Sequence, residues 1–219
     1  MNKPATCRQF LLSIVGSLLL VGCQGGGHTI NLEPHALASH STLTTSVHEN
    51  DLTILVEPFQ DARPQQNRLG SRTHLWGGVT HFNAWDGNIS KGMADLAIEY
   101  LQQQQWRASR STTGPVSDNL SDAVTLTGTV LSLQANAKSG FGFTDITVDM
   151  RVRFEAKNTV DGSTVRMVLG ANGSDSVAAF SPKDVEHLIN LVAKDLYKQL
   201  FRDLSVKNKA FHLQPETRP

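Results

Sequence analysis

Ile146-Thr-Val-Asp-Met-Arg-Val-Arg-Phe-Glu-Ala-Lys157 alternates apolar and polar residues without a break. Ile146, Val148, Met150, Val152, Phe154 and Ala156 point one way, and Thr147, Asp149, Arg151, Arg153, Glu155 and Lys157 the other. A period of two sustained this long marks a strand in a sheet with one packed and one wet face. Asp161-Gly162 supplies a hairpin turn, and Val165, Met167, Leu169 and Ala171 bring the chain back antiparallel. Upstream, Val124, Leu126, Gly128 and Val130 form another strand, whose phase slips at Leu131 and Leu133, the mark of a β-bulge.

Two helices flank this meander. Ile89, Met93, Leu96, Ala97, Tyr100 and Leu101 make one apolar stripe at helical spacing, capped by Asn88 or Asp86. Val185, Leu188, Ile189, Val192, Leu196 and Leu200 make the second. Ser181 as N-cap, Pro182 at the first position and Asp184 as the capping-box partner start it. Leu52 to Phe59 opens the domain with a strand that Pro58 ends or places at an edge, and Trp106 with Ala108 starts a short one. Gln60 to Gly87 and Ser109 to Asp122 read as loops. The fold class is α+β: a two-layer domain whose antiparallel or mixed sheet, of about four to five strands, is covered on one face by two helices.

The N-terminus carries an address. Lys3 and Arg8 precede the apolar run Phe10 to Val21, and no acidic residue occurs before Glu33. That run, about 12 residues, is shorter than the roughly 20 a spanning helix needs. Leu20-Val21-Gly22-Cys23 follows and resembles the lipobox of bacterial lipoproteins. The resemblance implies cleavage before Cys23 and a covalent diacylglycerol and N-acyl lipid on that cysteine, three chains where two already anchor stably. Gln24, where an aspartate would signal inner-membrane retention, implies the periplasmic face of the outer membrane. Cys7 leaves with the signal, so the folded domain has neither free thiol nor disulfide, and Cys-ligated zinc and thiol catalysis are excluded.

Taking 22 residues from 219 leaves 197, and losing Lys3 and Arg8 takes the 20 Lys and Arg to 18 against 20 Asp and Glu, a net charge of −2. Such a chain has no electrostatic footprint for nucleic acid. The organisation expected is a signal peptide over 1–22, a lipidated flexible tether over 23–50, the periplasmic domain over 51–206 and a polar tail over 207–219. A fully flexible tether of this length would span roughly 30 Å. Its histidines, His28, His35, His40 and His48, match no compact ligand motif and read as solvated.

Asp61 and Arg63 follow the first strand, as a structural clamp or as groups that grip a ligand. Between Gly70 and Gly87, His74, Trp76, His81, Phe82, Trp85 and Asp86 gather in 18 residues that hold two of the chain's three tryptophans. This loop is the candidate partner or ligand site; the alternative is that its tryptophans plug the end of the sheet. His74, His81 and Asp86 as metal ligands would be an unpatterned set, and no metal or other cofactor is expected. No Gly-x-Ser-x-Gly elbow or phosphate loop occurs, and Gly140-Phe-Gly142 reads as a turn. The wet sheet face with Asp149, Arg151, Arg153, Glu155 and Lys157 is either solvated surface or a docking face.

Val56-Glu-Pro-Phe-Gln-Asp-Ala-Arg63 with Leu69-Gly70, and Phe180-Ser-Pro182 at the last helix, resemble the corresponding stretches of YajG-type lipoproteins, over about residues 50 to 204. A wider set with the same layout includes activators of peptidoglycan synthases and the N-terminal region of the curli secretion protein. The resemblance implies an envelope lipoprotein and no enzyme. The expected role is a non-catalytic adaptor or assembly component of the cell envelope, anchored to the membrane by its lipid and meeting an envelope protein or a second copy of itself. The alternatives are a periplasmic module that binds a small molecule or lipid between helices and sheet, and a hydrolase.

Overall fold

The computed structural model describes residues 27–35, 52–111 and 123–214. The signal peptide, Cys23, His40, His48 and the ends of the tether and tail expected from the sequence lie outside the described residues.

The spine is β7 (Ala123–Ser139), 17 residues long. One edge pairs antiparallel with β8 (Thr144–Asn158) along its whole length, and β8 pairs antiparallel with β9 (Thr164–Val177). The other edge is shared in succession by three short parallel strands: β2 (Thr53–Val56), β3 (Gln60–Asp61) and β4 (Gly70–Thr73). Beyond β2 lies β6 (Arg107–Arg110). Beyond β4 lie the antiparallel β5 (Val79–Ala84) and then β1 (His28–Leu32), parallel to β5. The result is a curled mixed sheet of nine strands, not four or five. The additional strands β1, β3, β4 and β5 are two to six residues long, too short to declare a period in the sequence.

Alternation places the β8 apolar row against the helices, and Ile146, Val148, Met150, Val152 and Phe154 are all buried. Helix α1 (Ile89–Gln103) starts where the Asn88 side chain accepts from the Lys91 amide at 3.0 Å. Helix α2 (Pro182–Arg202) starts in a full capping box. The Ser181 amide donates to Asp184 at 2.6 Å and the Lys183 amide to the Ser181 hydroxyl at 3.3 Å. The two helices meet where Tyr197 donates its hydroxyl to the Met93 carbonyl at 3.1 Å and stacks on Tyr100 at 5.4 Å. The space between helices and sheet is filled by side chains such as Phe59, which lies edge-on to Phe154 at 6.0 Å. Phe59 rests on Gly128, where a Cβ would stand 2.5 Å from its ring.

Two stretches outside the expected domain belong to the sheet and core. His28–Leu32, inside the stretch read as tether, is strand β1, and Leu32 is fully buried. In the stretch read as a polar tail, β11 (Ala210–Leu213) folds back on β10 (Leu204–Lys207), at the end of the expected domain, in a hairpin that buries Ala210 and Phe211.

Candidate functional site

The segment from Gly70 to Gly87 is a hairpin, and its aromatic residues do not gather. Phe82 is fully buried on β5 and stacks on Phe180 at 6.2 Å, inside the core. Trp85 opens a 3-10 turn (Trp85–Gly87) at the far end of β5. It and Asp86 adopt positive φ angles of 48° and 51°, strained for residues other than glycine. The turn is held by β1 and the residues after it: Trp85 donates its indole N–H to Pro34 at 3.1 Å, and the Asp86 amide donates to Asn31 at 3.0 Å. The Trp85 ring packs against the bare backbone of Gly92, with no room there for a Cβ. Trp85 is a structural closure over the start of α1.

Trp76 sits at the opposite end, about 20 Å away by the length of β5, and is 92% exposed. It plugs nothing. The five-residue turn that carries it is closed by the His74 amide donating to Gly78 at 2.8 Å and by Gly77 at φ 91°. The His74 ring bonds the Thr80 hydroxyl at 2.8 Å. His74, His81 and Asp86 do not converge, and no three His, Cys, Asp or Glu side chains among the described residues lie close enough to share a metal ion.

A second tip stands beside the first. Arg72 and Thr73 of β4 pair in parallel with Ala137 and Lys138 of β7, so the β4–β5 and β7–β8 turns leave the sheet at the same end. The β7–β8 turn holds Phe141 at 88% exposure and Phe143 at 45%. Its geometry is fixed by the Gly140 amide donating to the Phe143 carbonyl at 2.8 Å and by Gly142 at φ 83°. Arg72 ties the two turns together: it donates to Ser139 at 2.9 Å and lies 4.0 Å over the Phe180 ring. Phe141 and Phe143 were not singled out in the sequence. Gly-Phe-Gly-Phe between two strong strands is itself the signal, since a hairpin tip offers an aromatic nothing to pack against.

Asp61 and Arg63 form a closed cluster. Arg63 is buried and directs all five N–H donors inward: to both Asp61 oxygens at 2.8 and 2.9 Å, and to the carbonyls of Gln66, Arg68 and Leu133 at 3.0, 3.1 and 3.4 Å. This fixes the loop before β4 and pins it to β7. A concave space of about 360 Å³ lies over that loop, lined in part by Arg68, Ser71, His81, Gln134 and Asn136. The His81 Nδ1 is buried and has no hydrogen-bond partner among the described residues.

On the wet sheet face Glu155 and Arg166 face each other across β8 and β9, bridged at 2.7 Å, and the hydrogen bond from Arg166 holds the Glu155 carboxyl below the usual carboxylate range. Asp149 accepts from Ser132 at 2.5 Å. β9 forms the outer edge of this face and, among the described residues, pairs only with β8. No described helix is long and apolar enough to cross a membrane.

No protein-family model matches the chain, and no curated protein does. Among solved structures it is similar to an uncharacterised protein at a TM-score of 0.49 and 8% identity, covering 80% of this chain and 97% of that one. It is similar to lipoprotein GNA1162 from Neisseria meningitidis at a TM-score of 0.37 and 11% identity, covering 68% and 99%. It is also similar to a putative neuraminyllactose-binding hemagglutinin homolog from Helicobacter pylori at a TM-score of 0.37 and 6% identity, covering 80% and 90%.

Proposed function

We propose that this chain is a lipoprotein of the bacterial envelope, anchored through Cys23 to the periplasmic face of the outer membrane, that works without catalysis as an adaptor or assembly component. The observation that carries the reading is the open edge of β9. Fourteen residues, Thr164–Val177, present one row of backbone N–H and C=O groups to β8 and leave the other row unpaired by any described strand. Natural proteins blunt such edges with prolines, bulges or inward charges. β9 has no proline, its pairing with β8 runs without a register shift, and Val168 on it is 45% exposed. An edge of this kind receives an extended strand from another chain, with main-chain hydrogen bonds supplying affinity and side-chain pockets selectivity.

A photo-crosslinking residue at position 168, in the full chain in cells, tests this. The expected result is a discrete adduct with one envelope protein or a second copy, lost when Gly170→Pro removes a backbone donor nearby. Absence of any adduct above background overturns the docking role. Mass spectrometry of the membrane-extracted protein tests the address separately: Cys23 should be the first residue and carry lipid.

A second reading follows from the cleft over the Arg63 loop. Its volume suits a small polar molecule, and Arg68, Gln134 and Asn136 line it with polar groups. A ligand that copurifies with the native chain and is displaced by His81→Ala would favour it over the adaptor role.

A further inference from the structure

The hairpin tips and the start of β1 lie at one end of the molecule. β1 runs parallel to β5 with His28 opposite Thr80, so the chain enters the sheet beside the β4–β5 turn. Gly27 lies against this corner: a Cβ on it would stand 3.9 Å from the Val79 carbonyl. Only three residues, Gln24, Gly25 and Gly26, separate Gly27 from Cys23, four Cα–Cα steps. Fully extended they reach about 14 Å. A lipid on Cys23 therefore holds Gly27, and with it the corner of the sheet from which the Trp76 turn projects, within that distance of the bilayer surface.

What those turns present is apolar. Leu75, Trp76, Val79, Phe141 and Phe143 are 43%, 92%, 42%, 88% and 45% exposed. Neither His74–Val79 nor Ser139–Phe143 contains a carboxylate, an amine or a guanidinium. Backbone hydrogen bonds and positive-φ glycines set both turns, so the aromatics are held outward by structure and not left there by chance. In water, such a cluster is costly and marks a contact surface. Tryptophan at a bilayer places its apolar ring among the acyl chains while its N–H stays at the headgroups.

We propose that the two tips, Leu75-Trp76 and Phe141 with Phe143, insert into the surface of the membrane to which Cys23 is anchored, so that the domain stands on the bilayer at a fixed orientation. The proposal rests on lipidation of Cys23, and the sheet then rises away from the membrane with β9 and its open edge alongside. Two chemically independent contacts, acyl chains and aromatic tips, would fix the direction in which that edge faces.

The experiment uses the full lipidated chain in phosphatidylethanolamine vesicles that contain phosphatidylglycerol and a lipid spin-labelled near its headgroup. Tryptophan emission is compared between the native chain and Trp76→Phe, so that Trp85 and Trp106 cancel. The expected result is that the Trp76 contribution is blue-shifted, quenched by the spin-labelled lipid and protected from aqueous iodide. With Phe141→Ser, a change at a side chain that packs on little of the fold, the lipid quenching should fall. If iodide reaches Trp76 and the spin label does not, the tips stand in water and the proposal is overturned. If neither quencher reaches it, another protein or a second copy covers it, which also overturns the proposal. The mass of the Cys23 peptide separates the two readings. A lipidated chain with an unquenched Trp76 sinks tip insertion and leaves the address intact. An unlipidated chain whose Trp76 is still quenched sinks the address and leaves insertion intact.

Discussion

Asn158 and Phe211 are joined by two hydrogen bonds: the Asn158 amide donates to the Phe211 carbonyl at 3.0 Å, and the Phe211 amide donates back to the Asn158 oxygen at 2.8 Å. Asn158 is fully buried at the end of β8, and its amide also donates to Ser163 at 2.7 Å. One side chain thus satisfies both backbone groups of a residue 53 positions away. Asn158→Ala leaves those groups buried without partners, at about 1–3 kcal/mol. The urea midpoint should fall accordingly, and amide exchange across residues 204–213 should accelerate before that of β8. Uniform exchange over both elements would show that the hairpin is not held at this point.

Arg63 offers a second test. Removing the guanidinium leaves the Asp61 carboxylate without its cation, keeping only the backbone amide of residue 63, and takes the Arg63 donors from three carbonyls, in a site where the Arg63 side chain is only 3% exposed. Arg63→Ala should cost about 3–5 kcal/mol, as breaking one side of a buried ion pair does. Arg63→Lys should recover only part of it, because a point ammonium cannot replace a planar fork of five donors. Denaturant titration of both variants decides this, and equal stability of lysine and arginine would show that charge alone suffices.

Alkaline pH should unfold the helix layer. Burial pushes the Tyr197 phenol well above its ordinary value of 10.0, and Tyr100 is raised by burial and then by the nearby Asp195 carboxylate. In the unfolded chain both lose their protons near pH 10, whereas the fold keeps them. Their stabilising contribution is therefore complete below about pH 10 and declines as pH rises above it. Tyr197→Phe keeps the ring but not the bond to Met93, so it should cost about 1 kcal/mol at neutral pH and flatten the alkaline decline. Melting temperatures of both proteins across the alkaline range provide the check.

The elements that sequence reading reaches are those long enough to repeat a pattern. β8 and α2 declare themselves through alternation and a capping box, and both stand where they were expected. β1 has five residues beside Gly25-Gly26-Gly27, with Leu32 its only fully buried side chain, and so reads as linker. β5 is similar: Thr80, Phe82 and Ala84 face inward, but a threonine, one aromatic and an alanine do not make an apolar row. Its pairing with β1 and β4 is what gives Phe82 a core to enter. The six loop residues taken together in the sequence separate because a strand runs between them. Neighbourhood along the chain says little about neighbourhood in space once a strand of six residues intervenes. The association of Trp76 with Phe141 is hidden for the opposite reason: they are 65 positions apart, and their turns come side by side only through the parallel pairing of β4 with β7.

The bulge in β7 has a consequence for how the chain tolerates change in length. Leu131 and Ser132 together face Arg151, while Val130 faces Val152 and Leu133 faces Met150. A chain lacking Leu131 would therefore keep Val130 and Leu133 in one inward row, with the β8 ladder made regular. A single deletion elsewhere along the paired length would turn the following apolar row out to water. The central strand holds one residue of slack, at the place where its outer neighbours change from β3 to the Arg63 loop and β4. Deletion of that residue should be accepted by the ladder and felt by the loop, through the displaced Leu133 carbonyl that Arg63 binds. Length variants of this domain should survive there first.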